Sequence, residues 1–350
     1  MDRSTAAETG RLDWLTDPRV FAVGRLPAHS DHAFAAADGT ALFSLCLDGR
    51  WSFAAFASPA QVDWGFLSPD FARTAAEITV PGHLQLQGFG RPQYVNTMYP
   101  WDGREQLSAP AVPQKDNLTG CYGLRFALPE NCAGGGRLRL CFEGAESCLY
   151  AWLNGRFLGY AEDSFTPSEF DITDAAVAGD NWLAVMVVRW CSGSWLEDQD
   201  FWRFSGLFRS VRLFAVPPLH LRDLCARAEV APDLSFAVLE LTAEAEGAVS
   251  GGFAAEFALF DPDGQPVGAS VRAAGENGRV RAVLPVVSPR LWSAERPELY
   301  TVRALLLDAQ GRPAERAQTT VGLRRFELRG GIMTLNGRRL VLRGINRHEF

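Results

Sequence analysis

Three carboxylates within four residues form the densest acidic group of the sequence. Glu197, Asp198 and Asp200 stand between tryptophan and phenylalanine residues, and carboxylates at this spacing can bind a hard cation or the hydroxyls of a sugar. The flanking aromatic residues argue against a fully solvated loop, because carboxylates packed beside them need polar partners. Arg203 is one candidate partner. The spacing therefore leaves two interpretations open, a structural ion pair and a ligand site.

Two further positions could carry chemistry. His348 lies at the end of a predicted strand, in the polar run 346–349. A lone histidine is more often a structural hydrogen-bonding residue, but this position favours a site. Asn96 lies in the loop 94–100, and this loop is either a turn before a proline or a hydroxyl-binding segment, because an amide both donates and accepts hydrogen bonds.

Composition and motifs argue against several classes of function. The 34 lysines and arginines against 41 aspartates and glutamates leave a net charge of −7, and without a basic run no nucleic-acid partner is expected. No apolar stretch approaches the roughly 18 residues of a membrane span, so no membrane partner is expected either. GxGxxG, Walker A, HExxH and GxSxG patterns are missing, which leaves nucleotide enzymes, zincins and α/β-hydrolases without support. We expect no organic cofactor.

The cysteines and the N-terminus indicate the compartment. The chain has seven cysteines, an odd number with no CxxC spacing, so a zinc site is not expected. The polar first residues lack the apolar core of a signal peptide, and we therefore expect a cytoplasmic protein. Asn117 begins an N-glycosylation pattern, which has no use in such a protein.

The elements that must position these residues are predicted to be strands. Residues 1–45 show no sustained period and are predicted to form an extended arm. From residue 46 onward short apolar or alternating runs are separated by turns, and Asn154-Gly155 between two such runs indicates a hairpin, because both turn residues need positive φ. Further strands are predicted at 182–190 and 207–214. This pattern predicts an all-β jelly-roll domain over 46–216.

A second set of strands follows the proline pair at 217–218, which breaks a strand cleanly. It includes a predicted turn at 261–264, whose residues all favour turns, and a predicted strand over 300–307. Its length and spacing predict an immunoglobulin-like β-sandwich over 217–325. The last segment, 326–350, is predicted to form a hairpin from 332–335 and 340–342 and then a strand that ends in polar residues. That ending is typical of the first strand of a (β/α)₈ barrel, which needs roughly 200 residues or more and would be incomplete here.

Nine stretches of the sequence match one known family. In chain order they are LDGRWSF (47–53), VPGHLQ (80–85), YVNTMYP (94–100), TGCY (119–122), NGR with GY (154–160), PSEFD (167–171), LEDQDFWR with SGLFR (196–209), LWSAE (291–295) and RGINRHE (343–349). With these stretches the sequence resembles the N-terminal portion of the β-galactosidases of glycoside hydrolase family 2, the large bacterial cytoplasmic type. One stretch departs from the family, because His83 and Leu84 replace the usual asparagine and tryptophan, which puts contacts at the substrate rim in doubt.

The resemblance implies specific roles and a substrate. It implies that Asp200 binds a galactose hydroxyl and a sodium ion, that Asn96 is lent to the active site, and that His348 contacts galactose and stabilises the transition state. It further implies retaining hydrolysis of terminal β-D-galactosides such as lactose, which needs two carboxylates. In the family both are glutamates that would lie beyond Phe350, as would the magnesium ligands, so we expect the 350-residue chain alone to be inactive.

Other interpretations remain. The chain could be a stand-alone, non-catalytic carbohydrate-binding protein of two β-domains, although such a protein would not need a barrel strand ending in the run 346–349. It could also be a subunit that complements a separately encoded barrel. The family is often tetrameric, so a homo-oligomer is a possible partner arrangement.

Overall fold

The computed structural model describes residues 10–197 and 200–346. Within them the chain forms two units. The first unit contains the chain before His29 together with Phe43–Ala215, and the second contains His29–Leu42 and the chain from Val216 onward. Each unit is built from antiparallel strands, so the predicted all-β fold class is confirmed.

The strands are numbered along the chain. The first fourteen are β1 (Ala22–Val23), β2 (Ala33–Ala36), β3 (Ser44–Cys46), β4 (Gly49–Phe56), β5 (Ala76–Val80), β6 (Gln93–Val95), β7 (Thr119–Leu128), β8 (Arg137–Phe142), β9 (Cys148–Leu153), β10 (Arg156–Ala161), β11 (Ser168–Asp171), β12 (Gly179–Val188), β13 (Phe201–Arg203) and β14 (Val211–Val216). The remaining ten are β15 (Leu219–Val230), β16 (Phe236–Gly247), β17 (Ala254–Phe260), β18 (Val271–Ala274), β19 (Arg279–Val287), β20 (Tyr300–Leu307), β21 (Pro313–Val321), β22 (Phe326–Arg329), β23 (Ile332–Leu335) and β24 (Arg338–Arg339).

The helices of the described residues are short 3₁₀ turns. None of the helices in the described ranges has the length and apolar character needed to cross a membrane. The helices are Leu12–Thr16, Pro59–Gln61, Trp64–Leu67, Pro69–Arg73, Gln85–Gln87 and Ser192–Trp195.

The first unit is a sandwich of a seven-stranded sheet, in the order β1-β10-β9-β12-β7-β4-β5, and a four-stranded sheet, in the order β11-β8-β14-β3. The central strands β9 and β12 of the seven-stranded sheet are buried on both faces. In β9, Leu149, Ala151 and Leu153 face the core shared with the other sheet, while Tyr150 and Trp152 pack into a second cluster on the opposite face. Burial on both faces explains why these strands are continuous apolar runs and do not alternate with polar residues.

The hairpin predicted at Asn154-Gly155 is confirmed. Both residues have positive φ, 54° and 78°, and the strands on either side pair from Leu153 and Arg156 outward. An asparagine followed by a glycine is the favoured choice for such a turn, because both tolerate the left-handed region. The turn therefore fixes the register of β9 and β10.

The second unit contains a three-stranded sheet, β15-β16-β19, and a five-stranded sheet, β18-β17-β20-β21-β2. Residues of β19 alternate strictly between buried and exposed, so this strand has one face in the core and one in solvent. The two sheets enclose one apolar cluster that includes Phe257, Val302 and Leu323. A separate three-stranded sheet, β22-β23-β24, follows.

The predicted arm contributes a strand to each unit. In the first unit β1 pairs with β10, where Ala22 lies opposite Ala161. In the second unit β2 pairs with β21, where Ala33 lies opposite Gln318. The segment therefore supplies edge strands whose partners lie far away in the sequence.

Two predicted strands start at different residues. The strand expected over 207–214 begins at Val211, because Gly206 has a φ of 116° and the Leu207 carbonyl accepts from the Gly82 amide outside the sheet. In the last hairpin the second strand is β24 (Arg338–Arg339), where we had predicted residues 340–342. The two-residue turn 336–337 makes Arg338 the immediate partner of Leu335.

Candidate functional site

A two-stranded ribbon in the first unit brings two of the predicted site residues together. Strands β6 and β13 pair antiparallel, with Val95 opposite Phe201, and Asn96 and Asp200 are the residues next to this pair, at the same end of the ribbon. Both side chains are exposed. They are far apart in the sequence, and this pairing sets them side by side at the end of the ribbon.

Tyr94 ties the ribbon to the Asp200 side chain. Its phenolic hydroxyl donates to an oxygen of the Asp200 carboxylate, and this bond raises the pKa of Tyr94. The ring of Tyr94 packs against Trp202 at a centroid distance of 5.7 Å. On the opposite strand, the Asn96 side-chain oxygen accepts from the Thr97 amide at 2.8 Å. The amide nitrogen of Asn96 and the second carboxylate oxygen of Asp200 are therefore suitable groups for sugar hydroxyls.

The acidic cluster divides into an inward and an outward carboxylate. Glu197 turns inward, where its two oxygens accept from the Ser164 amide and the Ser164 hydroxyl, both at 2.9 Å. Burial raises the pKa of Glu197. Asp200 points outward, and Asp198 lies outside the described residues. Of the two interpretations left open by the sequence, Glu197 fits a structural role and Asp200 fits a ligand site.

Arg203 contacts the main chain of the same loop. Its guanidinium donates to the main-chain carbonyl of Glu197 at 2.5 Å and lies 4.4 Å from the ring centroid of Phe201. The carbonyl of Arg203 in turn accepts from Arg189 at 2.9 Å. These contacts order the main chain on both sides of Asp200.

A second buried carboxylate, Glu146, lies in the electrostatic field of the same groups. Its main chain pairs with that of Gly206, and its residue is 6% exposed. Burial raises its pKa to about 7, the charge of Glu197 acts in the same direction, and Arg189 and Arg203 oppose the shift. Near neutral pH this group can therefore gain or lose a proton.

Aromatic rings surround the loop 94–100. Tyr99 stacks on Trp101 at 5.4 Å and packs against Trp195 at 4.5 Å, while Trp101 packs edge-on against Trp190 at 5.7 Å. Asn117, the residue of the glycosylation pattern, exchanges two hydrogen bonds with the Trp190 main chain. This asparagine is a fully buried structural residue.

His83, where the sequence departs from the family, has a packing role. Its ring is stacked between Phe204, at 4.6 Å, and Phe208, at 5.3 Å. Burial lowers the pKa of His83, which favours the neutral ring. The histidine therefore replaces the family residues as part of an aromatic stack beside the ribbon.

The remaining predicted site residue, His348, lies outside the described residues. Two residues that the sequence reasoning missed are Glu162 and Ser164, which hold the acidic loop from a neighbouring segment. The only sequence signal for them is the polar triplet 162–164 directly after an apolar strand. Among the described residues, no group of three histidine, cysteine, aspartate or glutamate side chains could hold a metal ion.

The fold and the site define a protein of two β-sandwiches whose first sandwich carries the exposed side chains of Asn96 and Asp200 at the end of a short ribbon. Residues 45–217 match the family model of the glycosyl hydrolases family 2 sugar binding domain, and residues 219–324 match the model of glycosyl hydrolases family 2. The chain belongs to glycosyl hydrolase family 2.

Similar proteins agree with this assignment. The chain is 44% identical over 346 residues to a β-galactosidase of Halalkalibacterium halodurans, covering 97% of this chain and 34% of that protein. It is 44% identical over 354 residues to a β-galactosidase of Lactobacillus delbrueckii subsp. bulgaricus, with the same two shares. The chain therefore spans about a third of the length of the curated relatives it matches.

A solved structure shares the fold. The β-glucuronidase of Bacteroides uniformis has a TM-score of 0.69 and 21% sequence identity, covering 87% of this chain and 35% of that one. At this identity the likeness concerns the fold alone.

Proposed function

We propose that this chain is the sugar-positioning N-terminal part of a β-galactosidase that releases terminal non-reducing β-D-galactose with retention of configuration. The observation that carries the proposal is the register of the β6–β13 ribbon, which brings Asn96 and Asp200 to the same end. The identity to β-galactosidases, which extends over 97% of the chain, supports the same substrate. The acid/base and the nucleophile are proposed to be two glutamates outside the 350 residues.

Within this proposal the chain's own groups bind and orient the sugar. The Asp200 carboxylate accepts from a galactose hydroxyl, and the Asn96 amide donates to a neighbouring oxygen. His348 is assigned the contact that stabilises the transition state. Orientation of this kind contributes to catalysis because the reacting bond is held in a productive geometry before reaction.

The groups around Asp200 fit a sodium ion. The carboxylate of Asp200, the hydroxyl of Tyr94 and the side-chain oxygen of Asn96 are all hard oxygen donors, as hard cations prefer. Asp200 would hold the ion, and the ion would supply positive charge that orients a sugar hydroxyl. A magnesium site formed by residues beyond Phe350 and a tetrameric assembly of the full-length protein stay predictions from the family resemblance.

We also place the protein in the cytoplasm. All seven cysteines are free thiols, and Cys121, Cys141, Cys148 and Cys191 are buried. Thiols used as small apolar core residues suit a reducing compartment.

The test uses the complete gene product and a nitrophenyl β-D-galactoside. We expect the Asp200→Asn variant to raise KM by roughly tenfold or more, because one charge-assisted hydrogen bond of about 1.5–3 kcal/mol is weakened, and to reduce activation by sodium at the same time. Asp174→Asn, an exposed aspartate of the same unit, is the matched control. Unchanged kinetics of the Asp200 variant at low sodium would contradict the role of Asp200. Turnover of the substrate by purified residues 1–350 would contradict the proposal that both catalytic glutamates lie outside them.

A further inference from the structure

Two glutamates join the loop that carries Asp200 to a second loop of the first unit. The Asp200 loop, as far as the structure describes it, comprises residues 189–197 and Asp200, and the Glu162 loop comprises residues 162–165, directly after β10. Each glutamate lies on one loop and accepts hydrogen bonds from a serine and an amide of the other. We call this reciprocal pair the Glu162–Glu197 clamp.

Glu162 holds the beginning of the Asp200 loop. One carboxylate oxygen accepts from the Tyr160 hydroxyl at 2.6 Å and from the Ser192 hydroxyl at 3.0 Å. The other accepts from the Gly193 amide at 2.9 Å. A Cβ atom at Gly193 would lie only 2.7 Å from this second oxygen, so the close approach requires glycine at this position.

Glu197 holds the other end of the same loop, three residues before Asp200. Its carboxylate accepts both hydrogen bonds of Ser164, one from the amide and one from the hydroxyl. Glu162 and Ser164 are buried while Asp163 between them is exposed. The Glu162 loop thus directs two alternate side chains toward the Asp200 loop.

The clamp is a costly way to join two loops. Burial raises the pKa of Glu162 and of Glu197, and a well-packed apolar pair would give as much or more stability than buried polar groups. What a fully hydrogen-bonded network provides in addition is a single geometry, because its bonds are directional. The requirement for one geometry is strongest next to a ligand-binding side chain.

We propose that Glu162 and Glu197 are positioning residues that fix the place of Asp200 opposite Asn96 and thereby set the affinity of the site for galactose. The inference rests on the proposed function, because it takes the ligand of Asp200 from there. Neither glutamate needs to touch the sugar. Each acts by holding one end of the segment whose last residue does.

The experiment compares alanine and glutamine variants at both positions in the complete gene product. Binding of D-galactose is measured by calorimetry, and hydrogen exchange is measured over residues 192–203. We expect Glu162→Ala and Glu197→Ala to raise the Kd for galactose roughly ten- to hundredfold, the loss typical of a misplaced site group, and to speed exchange in this segment.

The glutamine variants separate position from charge. An amide oxygen still accepts from the Gly193 or Ser164 amide, and the hydroxyls of Tyr160, Ser192 and Ser164 can turn to accept from the amide nitrogen. Glu162→Gln and Glu197→Gln should therefore keep the wild-type Kd within a few-fold and keep exchange slow. His220→Leu, which removes the histidine partner of the fully buried Glu315 in the second unit, is the control for a general loss of stability.

Three results would overturn the inference. Fast exchange with an unchanged Kd would show that loop order does not affect binding. Equal loss of binding in alanine and glutamine variants, with slow exchange, would show that the carboxylates contact the sugar directly. If the alanine variants of the glutamates do not fold, Ser192→Ala and Ser164→Ala take their place. Each removes one donor and should weaken galactose binding by about fivefold, the equivalent of one hydrogen bond. An unchanged Kd in these serine variants would be the third result that overturns the inference.

Failure of the proposed function gives a different pattern. A wild-type protein that neither binds D-galactose nor hydrolyses a nitrophenyl β-galactoside overturns the function, and with it the ligand assigned to the clamp. A wild-type protein that does both, with alanine variants that bind equally well, overturns the clamp alone.

Discussion

Replacing Glu146 with glutamine should stabilise the first unit at neutral and alkaline pH. Glu146 is buried between the ends of β8 and β9, and burial is the main reason that its pKa rises to about 7 from the usual 4.5. The Phe204 amide hydrogen-bonds to its side chain. A glutamine oxygen can accept the same bond, so the substitution removes the charge without removing the acceptor.

The sign and size of the effect follow from proton linkage. A carboxyl group whose pKa is raised by folding binds its proton more tightly in the folded state, so it lowers stability as the pH rises from about 4.5 to about 7. At about 1.4 kcal/mol per pH unit, the penalty is roughly 3 kcal/mol at pH 8, falls to about 1 kcal/mol near pH 5 and nearly vanishes at pH 4. Glu146→Gln should therefore be close to neutral at pH 4 and stabilising by roughly 3 kcal/mol at pH 8.

Urea unfolding followed by tryptophan fluorescence measures this difference. Nine of the ten tryptophans lie in the first unit, so the signal reports that unit. Glu130→Gln is the control, because this glutamate is exposed and has no burial penalty to relieve. A gain in the free energy of unfolding that does not grow between pH 4 and pH 8, or a gain of the same size in the control, would refute the reasoning.

The other predictions concern buried polar groups away from the ligand. Glu315 is fully buried and accepts from His220 at 2.9 Å and from the Leu221 amide at 2.6 Å. His220→Leu should cost the second unit roughly 3–5 kcal/mol because it breaks this buried pair, whereas Glu315→Gln should cost much less because an amide oxygen still accepts. Urea unfolding followed by circular dichroism measures both variants. Equal losses in the two variants would contradict this. Asn117→Ala removes both hydrogen bonds to the Trp190 main chain. It should lower the free energy of unfolding of the first unit, measured by tryptophan fluorescence in urea, by roughly 2 kcal/mol. An unfolding midpoint equal to that of the wild type would show that other groups satisfy the Trp190 main chain.

Local signals in the sequence predicted the parts of the fold that depend on neighbouring residues. The strand expected over 300–307 is β20 at the same residues. The turn over Asp261 to Gly264 forms with the expected backbone hydrogen bond. The three asparagine–glycine pairs of the sequence, at 154–155, 277–278 and 336–337, all adopt positive φ. In each case the conformation is set by the turn residues themselves.

Contacts between distant segments could not be predicted from local patterns. The short strand β2 reads as an alanine-rich stretch, and only its pairing with β21 makes it a strand. Asn96 and Asp200 were assigned to one site through the family resemblance, since no spacing rule connects them. The partnership of Glu162 with Ser192 and Gly193 had no signal at all, because hydrogen bonding across loops leaves no periodicity in either segment.

Buried carboxylates around the Asp200 loop place stability and binding in opposition. Burial raises the pKa of Glu146, Glu162 and Glu197. Each of these groups therefore lowers the stability of the first unit as the pH rises above the ordinary pKa of a glutamate. Glutamine at Glu146 should relieve that cost, whereas alanine at Glu162 or Glu197 would leave serine and amide donors of the clamp without acceptors. If both expectations hold, the two loops keep a buried polar network because its hydrogen bonds define the position of a ligand-binding side chain, a trade of stability for function that is common at binding sites.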